Sequence, residues 1–124
     1  MSARILLVED EPAHALLIQS ILDGCDVVIT HADNGDHAVK LIGSETYDLV
    51  LTDFILPEKD GLELAKHIRS QDTVNKDIPI LLISTYFQPG EESALIEAGI
   101  TEWQAKPIKA DKLREAVLRL LDMS

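Results

Sequence analysis

The chain has 124 residues, 46% hydrophobic and 27% charged, enough for one apolar core and too apolar for a disordered segment. Its 22 acidic residues against 11 basic ones leave a net charge of −11, which disfavours direct nucleic-acid binding, because that needs clustered Lys and Arg. Most surface carboxylates are read as solubilising. No apolar run approaches a membrane span, and Met1-Ser2-Ala3-Arg4 lacks a signal-peptide layout. Cys25 is alone and the four histidines show no metal-ligand spacing, so the expectation is one cytoplasmic domain over residues 1–124 without a zinc site.

In chain order, Ile5-Leu6-Leu7-Val8 runs into Glu9-Asp10-Glu11, and residues 4–8 are assigned as the first strand. Pro12 suits a first helical turn, with His14, Leu17, Ile18 and Ile21 expected as the inward face and Gly24 closing the helix. Residues 26–31, β-branched and apolar, give strand two. Asn34-Gly35 then punctuates before a helix striped by Ala38, Val39, Leu41 and Ile42 that ends near Gly43. Strand three is residues 48–52, residues 57–61 form a loop, and helix three turns Leu64, Ala65 and Ile68 inward. Strand four is residues 78–84, with its proline tolerated near the start. Gln88-Pro89-Gly90 makes a turn, and a short helix over 91–98 stops at Gly99. Residues 100–105 are strand five, and the last helix buries Leu113, Ala116, Val117 and Leu120, with Lys109 where Ser or Asp would normally cap. Five strands, each followed by a helix, predict an α/β fold: a doubly wound, five-stranded parallel sheet with helices on both faces.

All strand carboxyl ends of such a sheet share one edge, where ligands bind. Glu9 and Asp10 arrive there after strand one, Asp53 after strand three, Ser84 after strand four and Lys106 after strand five. Carboxylates held together repel one another and need a cation. Lys106 supplies one charge, and an oxygen-rich site with room for water suits Mg²⁺. A carboxylate can also act as a nucleophile that forms an acyl phosphate, with metal and lysine balancing charge and a serine hydroxyl bonded to a phosphoryl oxygen. Taken singly, each residue has a plainer account as turn former, helix N-terminal acid, strand end or solvated charge. Their joint arrival at one edge favours a site. His14, near that edge, is read as a partly buried, hydrogen-bonded histidine in preference to a proton-sensitive one.

Five motifs, in this order, carry a resemblance over the whole chain: Ile5-Leu6-Leu7-Val8-Glu9-Asp10-Glu11-Pro12; Tyr47-Asp48-Leu49-Val50-Leu51-Thr52-Asp53; Leu56-Pro57 with Asp60-Gly61-Leu62-Glu63-Leu64; Ile78-Pro79-Ile80 leading to Ser84; and Ala98-Gly99 leading to Lys106-Pro107. The chain resembles the receiver (CheY-like) domain of two-component response regulators. That resemblance implies the flavodoxin-like strand order 2-1-3-4-5, which sets Asp10 beside Asp53. It implies a self-phosphorylating phosphoacceptor, not a turnover enzyme. Asp53 takes a phosphoryl group from the phosphohistidine of a sensor histidine kinase or histidine phosphotransfer protein. Asp10, Asp53 and the Ile55 carbonyl hold Mg²⁺ with Glu9 contributing, Ser84 moves toward the phosphoryl group, and Lys106 pairs with it. The Lys106-Pro107 bond is expected to be cis. The last helix, strand five and helix four are the expected face toward a downstream protein target, in a monomer or weak dimer with no direct nucleic-acid or membrane contact.

The chain also departs from the family pattern. Trp103 stands at the switch position usually held by Tyr or Phe; either its bulk hinders an inward flip beside Ser84, or it belongs to a surface aromatic patch. Thr85 replaces a smaller residue and is expected to narrow access to the phosphate. Ile55 and Tyr86 flank the site, and either slow acyl-phosphate hydrolysis or only pack a loop. Two other classes stay open: a receiver-like scaffold that is never phosphorylated, and the excised receiver of a longer regulator or hybrid kinase. A phosphatase is disfavoured, since Ile55 occupies the place of its second acid/base carboxylate.

Overall fold

Alternate residues of the central strands face opposite layers of helix, and this period-two pattern builds two cores. The computed structural model describes residues 2–85 and 90–122. Its elements are β1 (Ala3–Val8), α1 (Pro12–Leu22), β2 (Val27–Ala32), α2 (Gly35–Ser44), β3 (Leu49–Asp53), α3 (Gly61–Ser70), β4 (Ile80–Ser84), α4 (Glu92–Ala98), β5 (Glu102–Ala105) and α5 (Ala110–Asp122). The five strands form one parallel sheet in the order β2-β1-β3-β4-β5, the order that the resemblance to receiver domains implies. Leu6, Val8, Val50, Ile80 and Leu82 face α2, α3 and α4 across one core. Ile5, Leu7, Leu49, Leu51, Leu81 and Ile83 face α1 and α5 across the other. A strand covered on both faces must be apolar at every position, which is why β1, β3 and β4 read as continuous hydrophobic runs.

The expected helix faces hold with one correction. Ala15, Ile18, Ile21 and Leu22 are the buried face of α1, while Leu17 is 44% exposed and His14 half-exposed. Leu17 lies well over 90° around the helix from the centre of that face at ~100° per residue, so it cannot share the core with Ile18. The faces of α3 and α5 are as expected: Leu64, Ala65 and Ile68 in one, Leu113, Ala116, Val117 and Leu120 in the other.

Strand limits shift for local reasons. Asp48 precedes β3 because its carboxylate accepts the Arg4 backbone N–H at 2.8 Å, so the β1 pairing starts at Leu49. Proline has no N–H to donate, and β4 starts after Pro79, at Ile80. Asp53 is the last residue of β3 and not the first beyond it. The turn expected at Gln88-Pro89-Gly90 lies largely outside the described residues, as does Tyr86.

Two loops shape the carboxyl edge. Asp60 caps α3 by accepting the Glu63 N–H at 2.8 Å. At Gly61 the chain passes so close to β3 that a Cβ would stand 2.6 Å from the Asp53 carbonyl oxygen. Only glycine permits that approach, and with the Gly61 N–H donating to the Phe54 carbonyl at 2.7 Å it holds the loop after Asp53 against the site.

Candidate functional site

Register brings the acidic strand ends together. Val8 pairs with Thr52 and Asp53 with Ile83, so Glu9 and Asp53 leave adjacent strands at the same level. Ile5 and Leu7 face α1, as do Leu49 and Leu51. Continuing the alternation puts Glu9 and Asp53 on that same face. Carboxylate oxygens of Glu9, Asp10 and Asp53 all lie within 4.8 Å of one another. Lys106, which follows β5, sends its ammonium to Asp53 Oδ2 at 2.9 Å and to Glu9 Oε1 at 3.4 Å. Asp53 Oδ1 accepts the Phe54 N–H at 2.8 Å, so both oxygens of that carboxylate are engaged.

Glu9 is only 1% exposed. Its Oε2 accepts the Glu11 N–H at 3.4 Å. Burial pushes its carboxyl above the ordinary 4.5, the Asp53 charge pushes further, and Lys106 offsets only part of this. For Lys106, burial works to lower the pKa, but the hydrogen bond and charge of Asp53, followed by those of Glu9, outweigh it and raise the ammonium above 10.5. Three carboxylates against one ammonium leave a negative excess in a set of hard oxygen donors. Glu9, Asp10 and Asp53 therefore fit a hard divalent cation such as Mg²⁺.

The other residues singled out in the sequence fall around this centre. Ser84 is buried at the end of β4, the strand beside Asp53, and its carbonyl accepts the Lys106 N–H at 2.7 Å. The Lys106-Pro107 peptide is cis. Ile55 is 72% exposed on the loop after Asp53. Thr85 is exposed and, with His14, Leu17, Lys106, Pro107 and Ile108, lines a groove of ≈ 370 Å³ beside the acids. Trp103 pairs with Leu82 in the sheet and packs, partly buried, against the α2–α4 core.

His31 was not singled out in the sequence, and His14, expected near this edge as a hydrogen-bonded histidine, gains its partners here. His31 on β2 lies 2.7 Å through Nε2 from the Glu9 carbonyl oxygen, tying the edge strand to the acidic loop. His14 Nδ1 stands 3.2 Å from Lys106 Nζ and 3.5 Å from Glu9 Oε1. The signal for His14 was available: it sits in the first turn of α1, over the face onto which alternation turns Glu9 and Asp53. For His31 nothing in the local pattern marks its partner.

Comparison with known proteins points the same way. Residues 5–118 match the response regulator receiver domain family. The sensor histidine kinase GacS of Pseudomonas protegens is 32% identical over 118 residues, 94% of this chain and 13% of the kinase. The transcriptional regulatory protein ZraR of Klebsiella oxytoca is 32% identical over 110 residues, 89% of this chain and 24% of the regulator. The chain thus spans well under a third of these relatives' length. Among solved structures, the receiver domain of a Pseudomonas aeruginosa sensor histidine kinase, with a magnesium ion coordinated in its active-site cleft, superposes with a TM-score of 0.87 and 29% identity, covering 98% of this chain and 99% of that one. Matched along most of its length and carrying the acidic edge that the fold assembles, the chain belongs to the response regulator receiver domain family.

Proposed function

We propose that this chain is a phosphoacceptor switch in which Asp53 takes a phosphoryl group from a phosphohistidine. The observation that carries this reading is the placing of Asp53: one oxygen 2.9 Å from the Lys106 ammonium, with Glu9 and Asp10 carboxylates within 4.8 Å. Receiver domains bind Mg²⁺ in an acidic pocket and work with histidine kinases or phosphotransfer proteins. In this chain Glu9, Asp10 and Asp53, joined by the Ile55 backbone carbonyl, would hold the ion. When bound, Mg²⁺ supplies the positive charge that an incoming phosphoryl group and the carboxylate cluster both require.

An Asp53 carboxylate oxygen attacks phosphorus, forming the acyl phosphate while the nitrogen–phosphorus bond of the donor breaks. The electron pair of that bond stays on the imidazole nitrogen, which takes a proton from solvent. Lys106 follows the negative charge from Asp53 Oδ2 onto the phosphoryl oxygens, and the Ser84 hydroxyl, at the end of the adjoining strand, hydrogen-bonds one of them. The new bonds bias the β4–α4 and β5 segments toward a second arrangement that a protein target distinguishes, by no more than the difference in affinity for the two. Trp103 lies on the path of that change, and Ile55, Thr85 and Tyr86 govern access of water to the acyl phosphate.

Labelling tests the reading directly. A small phosphodonor with Mg²⁺ should label the chain on Asp53, and Asp53→Asn should abolish the label. Undiminished labelling of the variant refutes the assignment. A chain that neither binds Mg²⁺ nor takes label is an interaction scaffold instead.

A further inference from the structure

The Lys106 ammonium has three acceptors, and one of them is not a carboxylate. Asp53 Oδ2 lies at 2.9 Å, Glu9 Oε1 at 3.4 Å and His14 Nδ1 at 3.2 Å. An ammonium has three N–H donors and no lone pair, so His14 Nδ1 accepts and the ring proton sits on Nε2. The alternative is a protonated Nδ1 paired with Glu9 Oε1 at 3.5 Å. That would set an imidazole N–H and an ammonium N–H against each other across 3.2 Å, exchanging the Lys106 bond for a longer one to Glu9 and adding repulsion. Lys106, held between Asp53 and Glu9, is the donor in this contact, and the geometry leaves His14 Nδ1 as its acceptor.

His14 is well mounted for such a task. It lies in the first turn of α1, two residues after a proline at the helix start, on backbone whose φ is restrained there. Lys106, by contrast, ends in a point charge on a flexible four-carbon stem. Besides its carboxylate partners, Lys106 lines an open groove with His14, Leu17 and Ile108.

We propose that His14 is a positioning residue for Lys106, its Nδ1 serving as the third acceptor that keeps the ammonium over Asp53 Oδ2, where phosphoryl charge develops. The proposal rests on the phosphoacceptor reading and adds a residue to it. The imidazole exchanges no proton in the step; it orients a donor. An aliphatic residue at this position would leave one ammonium proton without a protein acceptor and free the stem to swing into the groove.

Two measurements on the full chain test it. Nitrogen spectra of ring-labelled protein should show His14 as the Nε2–H tautomer, its Nδ1 resonance displaced by the hydrogen bond and returned to the free-acceptor position in Lys106→Met. Phosphorylation by acetyl phosphate at fixed Mg²⁺ should slow about ten-fold in His14→Leu, the effect of losing one charge-assisted hydrogen bond. His14→Asn, whose side-chain oxygen reaches the place of Nδ1, should recover most of that rate. An Nδ1–H tautomer, a His14→Leu rate equal to that of the unaltered chain, or an Asn variant as slow as the Leu variant each overturns the proposal. A chain that takes no label while the ring signature persists overturns the phosphoacceptor reading itself, and the catalytic part of this proposal with it.

Discussion

At the amino-terminal end of β4, the Asn75 and Arg69 side chains are paired off with backbone groups; at the carboxyl end, Glu9, Asp10 and Asp53 crowd together and one ammonium bonds two of them, Glu9 and Asp53. Asn75 is 1% exposed, accepts the Tyr47 N–H at 2.9 Å, and donates to the Ile42 and Glu45 carbonyls at 2.8 and 2.7 Å. Arg69 donates to the Gly99, Lys76 and Ile78 carbonyls at 2.7, 2.8 and 2.6 Å. These bonds tie the end of α2 to the entry of β3, and the end of α3 to the entries of β4 and β5. These Asn75 and Arg69 bonds all go to backbone partners. The acidic edge is the reverse: folding gathers more like charge than Lys106 neutralises, and burial raises the Glu9 pKa. Polar residues that are satisfied hold the fold, and those in excess await something else.

The sharpest way to break this contrast is to alter one residue at each end. Asp53→Asn should eliminate labelling while changing the thermal midpoint of the metal-free chain little, because the amide gives up one of two acceptor oxygens, the Phe54 N–H keeps the Ile83 carbonyl, and one charge leaves the crowded cluster; a large drop in the midpoint would make Asp53 structural. Asn75→Ala should do the opposite. It strands one N–H and two carbonyls in the interior, and denaturant unfolding should show a loss of about 3 kcal/mol with labelling per folded molecule unchanged. A smaller effect is expected at Gly99, where φ is +97° and a Cβ would stand 2.5 Å from Arg69 Cγ. Gly99→Ala should cost about 1–2 kcal/mol in the same assay, since the strained backbone must also push the Arg69 stem aside.

The smallest effects are in pH dependence of the metal-free chain. Lys106 has a raised pKa in the folded state, so its contribution is fully present below 10.5 and is lost as pH rises through the folded value. Lys106→Met should remove that alkaline arm. Glu9 is also raised, so the folded chain binds its proton more tightly than the unfolded one. Its ionisation erodes stability as pH rises from 4.5 through the folded value, and Glu9→Gln should flatten that slope. Equal slopes in the two proteins would show that the edge carries no strain from excess charge.

Much of this site was legible before folding. The apolar runs of residues 5–8, 49–52 and 80–83 each close on a polar residue, and the alternation of strand and helix places those ends at one edge. The proline before β4 and the Asp48 bond to Arg4 moved strand limits by one or two residues, because ladder pairing depends on which N–H groups are free to join it. Leu17 misled because it fits helical spacing with His14, Ile18 and Ile21, yet the buried face of α1 is centred on Ala15, Ile18, Ile21 and Leu22 and leaves it outside. Asn75 stood in a loop with no period, and Arg69 at the end of α3 off its apolar stripe, so the periodic pattern did not reveal the partners of either.

The amino-acid order alone determined the doubly wound sheet, its two cores and the set of acids at its rim, since those follow from local periodicity and burial. Only the tertiary structure decided which atoms meet: Lys106 with Asp53, Glu9 and His14, His31 with the Glu9 carbonyl, Asn75 with three backbone groups. The physical reason is distance along the chain. Periodicity is a property of neighbouring residues, whereas a contact such as that between His14 and Lys106 joins residues far apart in sequence, and its length is set by sheet register and helix docking together.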